Sequence, residues 1–464
     1  MKYNKKWSYR PYRPFFYEVG EPYINRIIPD VNNIHIEWCA DESVDNAEYE
    51  IYYRPRSEGE FKLCAKTSDL EYTIQDLNEK WEYEVYVKSG DNKSRTRLAR
   101  CGNVIDTAVN YLHPDDEAYS YSGRFIASPS IIKHPDGYYL ASMDVAQSWA
   151  PQCLSMIFRS DDDGKSWHYV TDLMPCFWGK LFMHNGDVYM LAVSAEYGDL
   201  LIGKSNDGGN TFEEPSVLMR GLGLQRGWTG MHKAPMPIIE HNRRIWITCE
   251  YGSWEKGYHA AMVGSADKDS DLLDADSWTF SEPVKYNENW KGVPKGKSKG
   301  NLEGNPVIFP DGHIYDVMRY CMDDLERKFG LICAYKVDEQ NLDAPLAFDR
   351  CIEFPANNSK FTILFDEVSK KYYSIANRIS DEENIGARNL LSLLSSDDME
   401  HWTVVKDIID KTDCDKAKFG FQYVDWIFDG DDIAYLCRTA MNGADTFHNS
   451  NYITFGRIEN FREL

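Results

Sequence analysis

Polar and aromatic residues gather at the front of a recurring apolar run, where a core strand would ordinarily carry neither. "FWGK" offers Trp178 and Lys180, "GMHKAP" offers His232 and Lys233, and "GNLEGNP" offers Glu303 and Asn305. "NNSKF" offers Asn358 and Lys360, and "FQYVDW" offers Gln422, Tyr423 and Asp425. Glycoside hydrolysis needs two carboxyl groups, or a tyrosine in place of the carboxylate nucleophile. The candidates are Glu303, Glu250 and Asp425, with Tyr423 as nucleophile. His232 suits proton abstraction in a lyase, because an ordinary imidazole is poised near neutral pH. Three arginines close similar strands: Arg319 in "VMRY", Arg378 in "ANRI" and Arg438 in "LCRT". A guanidinium grips a carboxylate through two parallel hydrogen bonds, so these three would form a cationic sector for a uronate or ulosonate. His448, in "FHN", follows the last such strand and is placed at the same mouth. Each residue also has a plain structural reading: carboxylates and arginines can tie neighbouring sheets together, and His232 can cap a strand.

For these residues to meet, the apolar runs must converge. One unit recurs: a short strand, a turn rich in Asp, Asn or Gly, then a second apolar strand. It starts at Ser128, Gly179, Ala234, Gly304, Phe361 and Tyr423, at spacings of 51, 55, 70, 57 and 62 residues. Such a span holds roughly four strands of about five residues plus turns. Six four-stranded units around an axis make a six-bladed β-propeller, expected over 109–464. The first strand of each blade then lines the axis, which brings the candidates to one end of it. Before it, 20–108 reads as a β-sandwich of short alternating strands, and 1–19 as an N-terminal extension. The fold class is all-β.

Three turn phrases accompany the repeat: "RSDDDGKSWHYV" from Arg159, "KSNDGGNTFEEP" from Lys204 and the weaker "SSDDMEHWTVV" from Ser395. Asp162 and Asp207 can accept from turn amides, Gly164 and Gly209 permit positive φ, and Trp167 and Phe212 tuck beneath. These phrases resemble the Asp-box of sialidases, and the propeller part resembles the sialidase (BNR-repeat) superfamily. That resemblance implies an exo-acting glycosidase with an arginine triad holding a carboxylate, a Tyr nucleophile paired with a Glu, and an Asp acid/base. The family's Phe-Arg-Ile-Pro strand is "FIASPS" here, with Ala127 at the arginine position and Arg124 out of register. The chain therefore resembles a bacterial sialidase-like branch more closely than a sialidase proper. Related propellers include polysaccharide lyases. Trp38, Leu77 and Tyr83 make 20–108 similar to a fibronectin type III domain, which implies a spacer or docking role.

The net charge of −23 repels phosphate backbones and excludes nucleic acid as an expected partner. No apolar run approaches the ~18 residues of a membrane span. The 11 cysteines show neither a disulfide framework nor metal spacing, so reduced thiols and no metal or cofactor are expected. No signal peptide is visible, which reads as cytoplasmic, or as periplasmic or secreted if a leader was removed. P-loop, GxGxxG, HExxH and GxSxG motifs are missing, and "DSDLLDAD" at Asp269–Asp276 lacks calcium-loop spacing. The sequence thus points to a glycan-acting enzyme: an exo-acting glycoside hydrolase, alternatively a lyase of uronate-containing glycans, or a non-catalytic glycan-binding propeller.

Overall fold

The computed structural model describes residues 6–14, 17–18, 20–40, 48–222, 229–298, 300–320, 324–325 and 329–464. Among them the chain is all-β, with only three single-turn 3-10 segments.

Six antiparallel sheets follow one another along the chain. Sheet one orders Phe125–Lys133, Tyr139–Ala146, Leu154–Ser160 and His168–Leu173, with Ser8–Tyr9 of the N-terminal extension on its outer edge. Sheet two holds Phe177–His184, Asp187–Val193, Leu200–Ser205 and Ser216–Met219. In sheet three, Gly230–His232 and Ile239–His241 together make the inner strand against Arg244–Ser253, followed by Tyr258–Asp267 and two short outer pieces. Sheet four holds Leu302–Ile308, Ile314–Arg319, Leu331–Lys336 and Ala347–Glu353; sheet five holds Thr362–Asp366, Lys371–Asn377, Leu390–Ser396 and Trp402–Asp410. Sheet six pairs Gly420–Asp429, Asp432–Ala440 and Tyr452–Ile458 with Thr107–Tyr111, a strand from before sheet one. Early and late segments thus share one sheet, which fastens the chain into a ring.

Contacts between successive sheets, made at or beside their inner strands, close that ring. Leu181 N donates to Ser130 Oγ at 3.1 Å, from sheet two to sheet one. Lys233 Nζ donates to Trp178 O at 2.7 Å, and Gly304 N to Glu250 Oε1 at 3.3 Å. Ile363 N donates to Asn305 Oδ1 at 2.9 Å, Trp426 Nε1 to Thr362 O at 3.2 Å, and Ile131 N to Asp425 Oδ2 at 2.9 Å. The sixth sheet thereby meets the first, in a propeller-like arrangement with the inner strands around the axis.

The turn phrases fold as staples. Ser160 Oγ donates to Asp162 Oδ1 at 2.9 Å and accepts from Gly164 N at 2.9 Å, while Asp162 also accepts from Ser166 N at 2.9 Å. The Ser166 hydroxyl, donating to Asp162 Oδ2 at 2.7 Å, and the Ser166 amide hold the Asp162 carboxyl at about 2, below the usual carboxylate range. Ser205, Asp207, Gly209 and Thr211 repeat the pattern, and Trp167 and Phe212 are buried. In the third copy Met399 itself takes positive φ (68°), with its N donating to Ser396 Oγ at 2.9 Å.

The N-terminal strands form two facing sheets. Tyr23–Pro29, Ile34–Cys39 and Glu71–Ile74 make one; Tyr49–Pro55, Lys62–Thr67, Glu82–Ser89 and Arg97–Arg100 make the body of the other. Between them Ile36, Trp38, Ile51, Leu77, Tyr83 and Val85 are buried, and the same apolar cluster runs on into Tyr373, Leu391 and Tyr435 of sheets five and six. The Tyr83 hydroxyl accepts from Asn78 N at 2.8 Å, pinning the corner before its strand.

Candidate functional site

Four inner strands share one irregularity. Ser128, Trp178, Glu303 and Tyr423 have φ of 50°, 53°, 57° and 54°. Each falls where its strand loses register with the next strand: between Ala127 and Ser130, Phe177 and Lys180, Leu302 and Asn305, and Gln422 and Asp425. Left-handed backbone is uncommon for such side chains, and a bulge of this kind re-aims the residue that occupies it. Gly304 makes the Glu303 bulge possible, because a Cβ there would lie 1.9 Å from Asp316 Oδ1.

The bulges in sheets four and six bring Glu303 and Tyr423 together. Tyr423 Oη donates to Glu303 Oε1 at 2.7 Å, and Arg319 Nη1 donates to Glu303 Oε2 at 2.9 Å. Arg319 Nη1 also donates to Tyr423 Oη at 3.0 Å. Burial pushes the Glu303 carboxyl up, but Arg319, the Tyr423 hydroxyl and nearby His232 outweigh it and hold it below its ordinary value. Burial and the Glu303 charge raise the Tyr423 phenol, against Arg319, Arg388 and Arg438, which lower it.

Two further guanidiniums face the Tyr423 ring, Arg438 at 5.1 Å and Arg388 at 5.5 Å from its centroid. Their hydrogen-bond partners are neutral. Arg388 Nη1 bonds to Gln422 Oε1; Arg438 donates through Nε to Ser450 Oγ at 3.2 Å and through Nη2 to the His448 carbonyl. Burial lowers both guanidiniums to about 10. The neighbouring Arg438 charge drives the exposed His448 imidazole down to about 3, so His448 is neutral here. Arg438 is buried and Arg388 half-buried; cations so placed with neutral hydrogen-bond partners are costly, and an anionic ligand group would relieve that cost.

Sheets two and three supply the opposite wall. His232 Nδ1 lies 2.6 Å from Glu250 Oε2, both residues being buried. The Trp178 ring meets His232 edge-on at 4.4 Å, and Tyr197 stacks on it at 6.1 Å. Tyr197 Oη lies 3.2 Å from His259 Nε2, and Trp254 packs against His259 at 4.7 Å. A carboxylate on Nδ1 orients the imidazole and leaves Nε2 for exchange with a ligand.

The remaining sequence candidates sit deeper and join sheet to sheet. Asp425 is fully buried, and its Oδ2 accepts from Lys180 Nζ at 2.6 Å as well as from Ile131 N. Lys360 Nζ donates to Val424 O and Thr362 Oγ1, both at 2.8 Å. Asn305 bridges sheets four and five, donating to Phe361 O at 3.4 Å besides accepting from Ile363 N. Burial lowers the Lys233 ammonium to about 7 and the Lys360 ammonium to about 8.

The expected arginine grouping needs a correction. Arg319 and Arg438 meet at Tyr423, but Arg378 pairs with Asp407 at 2.7 Å on the partly exposed side of sheet five. Arg388 takes the third place. Arg388, Tyr197, Trp254 and His259 were not singled out from the sequence. All lie in, or just beyond, connections between the second and third strands of a sheet, and those connections open at the mouth. His448 comes from the equivalent connection of sheet six.

No protein-family model matches the chain, and no curated protein matches it in sequence. Solved structures do. The α-L-arabinanase of Penicillium chrysogenum, complexed with arabinobiose, superposes with a TM-score of 0.50 at 12% identity, over 78% of this chain and 99% of its own. A mutant of the α-L-arabinofuranosidase of Fusarium graminearum, in complex with an iminosugar inhibitor, gives 0.50 at 11% identity, over 76% and 97%. A polysaccharide lyase active on ulvan spans 95% of both chains at 10% identity, with a TM-score of 0.43. At these identities the arabinanase and arabinofuranosidase likenesses establish a shared fold.

Proposed function

We propose that the protein is an exo-acting glycoside hydrolase that removes a terminal sugar bearing a carboxylate. One observation carries this reading: the Glu303 carboxylate receives both the Tyr423 hydroxyl and Arg319, beneath two more guanidiniums with neutral partners. A carboxylate bound by Arg388 and Arg438 would hold the sugar over Tyr423. The Tyr423 oxygen attacks the anomeric carbon as its proton passes to Glu303. His232, oriented by Glu250, protonates the leaving oxygen. Water then cleaves the sugar–tyrosine bond, giving its proton to His232, while Tyr423 recovers its own from Glu303. Trp178 and Tyr197 pack the leaving side. Asp425, Lys180, Lys233, Lys360 and Asn305 act as struts of the ring. The arabinan-active enzymes that share the fold fit a glycan substrate, and 20–108 fits a fibronectin-like spacer ahead of a catalytic 109–464.

A second reading is a lyase on uronate-containing glycans. The Glu250-oriented His232 beside Tyr197 supports it, since a lyase needs a base at the sugar C5 and an acid at the leaving oxygen. Incubation with oligosaccharides ending in uronic or ulosonic acids separates the readings. Release of a free acidic monosaccharide without an ultraviolet chromophore supports hydrolysis. An unsaturated product selects the lyase, and intact glycan with measurable binding rules out both.

A further inference from the structure

A separate cluster lies where the N-terminal sandwich meets sheet one. His35 and Glu37 stand on Ile34–Cys39, and Glu71 on the neighbouring strand, directly across from Glu37. His168 opens the fourth strand of sheet one, His168–Leu173. His35 Nε2 lies 3.5 Å from Glu37 Oε1 and 3.9 Å from Glu71 Oε2, and His168 Nδ1 lies 3.7 Å from Glu37 Oε1. Glu37 already reaches across the junction, where its Oε2 accepts from Tyr169 N at 3.2 Å.

We propose that His35, Glu37, Glu71 and His168 form a site for a zinc-type divalent cation that clasps the sandwich to the ring. Donors at roughly 2.0–2.2 Å from a tetrahedral ion stand roughly 3.3–3.5 Å apart; those of His35, Glu37 and Glu71 lie within 4.8 Å of one another and must draw in, and the half-exposed His168, 3.7 Å from Glu37 Oε1, swings in as the fourth. Two imidazoles with two carboxylates suit zinc better than calcium, which prefers oxygen ligands throughout. His35 Nδ1 lies 3.0 Å from Thr73 Oγ1, and donation there fixes the tautomer whose Nε2 lone pair faces the carboxylates. Arg26 Nη1 lies 2.5 Å from Glu37 Oε1 and offsets one negative charge; the second carboxylate keeps the cluster net negative with the imidazoles neutral. A cavity of about 460 Å³, lined by His35, Glu71 and His168 among others, gives an ion its way in.

The test is zinc titration of the full chain, followed by calorimetry and thermal melting. The expected result is one saturable zinc per chain and a melting temperature that climbs with zinc concentration and returns on chelation. Glu71 and His168 are about half exposed, so Glu71→Gln and His168→Gln should fold normally and each weaken zinc binding tenfold or more. Thr73→Val should weaken it by about 10- to 100-fold. His134→Gln, elsewhere on sheet one, should change nothing. Lack of saturable binding overturns the site, as does binding that survives both Glu71→Gln and His168→Gln. Binding lost with Glu71→Gln but kept with His168→Gln overturns the clasp.

Discussion

Glu303 and Asn305 are two residues apart on one strand, as are Trp178 and Lys180, and Tyr423 and Asp425. In a regular strand each pair would share a face. Here they part. Glu303, Trp178 and Tyr423 occupy bulges and turn to the mouth, whereas Asn305, Lys180 and Asp425 hold neighbouring sheets together. The first layer keeps positive φ and buried charge at an open end; the second is satisfied by its neighbours. Strain and under-compensated charge kept in one layer, beside a satisfied layer just beneath, is the pattern expected of a site carried on a rigid scaffold.

The sharpest way to break this division is at the bulges. Tyr423→Phe and Glu303→Gln should each lower turnover by roughly 10²- to 10⁴-fold, the range for lost acid–base assistance. The double variant should be little worse than either single one, because the two act as a unit. The melting temperature of Glu303→Gln should fall by only a few degrees, since Gln still accepts from Tyr423 and Arg319, unlike Lys180, keeps a second bond to the Tyr423 hydroxyl at 3.0 Å. Because Arg319 and Tyr423 hold the Glu303 carboxyl below its ordinary value, it stays ionised at neutral pH and loses activity only as pH falls through that lowered pKa. The acid limb of kcat should therefore begin below the usual Glu range, and Glu303→Gln should abolish it. A normal rate for Glu303→Gln would make the bulge layer structural.

The layer beneath should respond in the opposite way. Asp425→Asn leaves the Lys180 ammonium buried beside a neutral amide, and breaking such a pair costs about 3–5 kcal/mol. Chemical denaturation should show that loss. Combining Asp425→Asn with Lys180→Met should recover much of it, while the residual activity per folded molecule stays close to that of the parent. A large fall in kcat with unchanged stability would move Asp425 into the chemistry.

The ring was open to a reading of the sequence, because turns rich in Asp, Asn or Gly between apolar runs recur at a regular period. The bulges were not. Positive φ is signalled by Gly or Asn, and here Trp, Glu and Tyr adopt it, so a two-residue alternation grouped Asp425 with Tyr423 and Asn305 with Glu303. The connections between second and third strands were hidden for another reason. Their residues lie outside the apolar repeat, so Tyr197, Trp254 and Arg388 fell between the periodic segments. One topological signal was available: in an antiparallel hairpin the third strand begins at the end where the second finishes, so residues flanking that connection share the mouth. Arg388, just before Leu390–Ser396, meets that condition.

Arg388 and Arg378 stand at the two ends of one such connection, which sharpens the comparison further. Arg388→Met should remove a charged contact to the substrate carboxylate worth about 1.5–3 kcal/mol, and so raise KM for acidic glycans roughly 10- to 100-fold. The change should be much smaller on a neutral analogue. kcat should fall less than in the Tyr423→Phe variant.

Arg378→Ala should do almost nothing. Its guanidinium reaches Asp407 at 2.7 Å, with both side chains about one-third exposed, and water and salt screen such a pair. Its loss should cost at most about 1 kcal/mol and leave KM and kcat unchanged. Asp407 also accepts from Ser392 Oγ at 2.6 Å, so it is not left bare by the substitution. Side-by-side kinetics of Arg378→Ala and Arg388→Met decide the matter. If Arg378→Ala raised KM for acidic glycans as much as Arg388→Met does, the carboxylate would have to bind toward the outer face of sheet five, and the cluster around Tyr423 would lose its claim to the substrate.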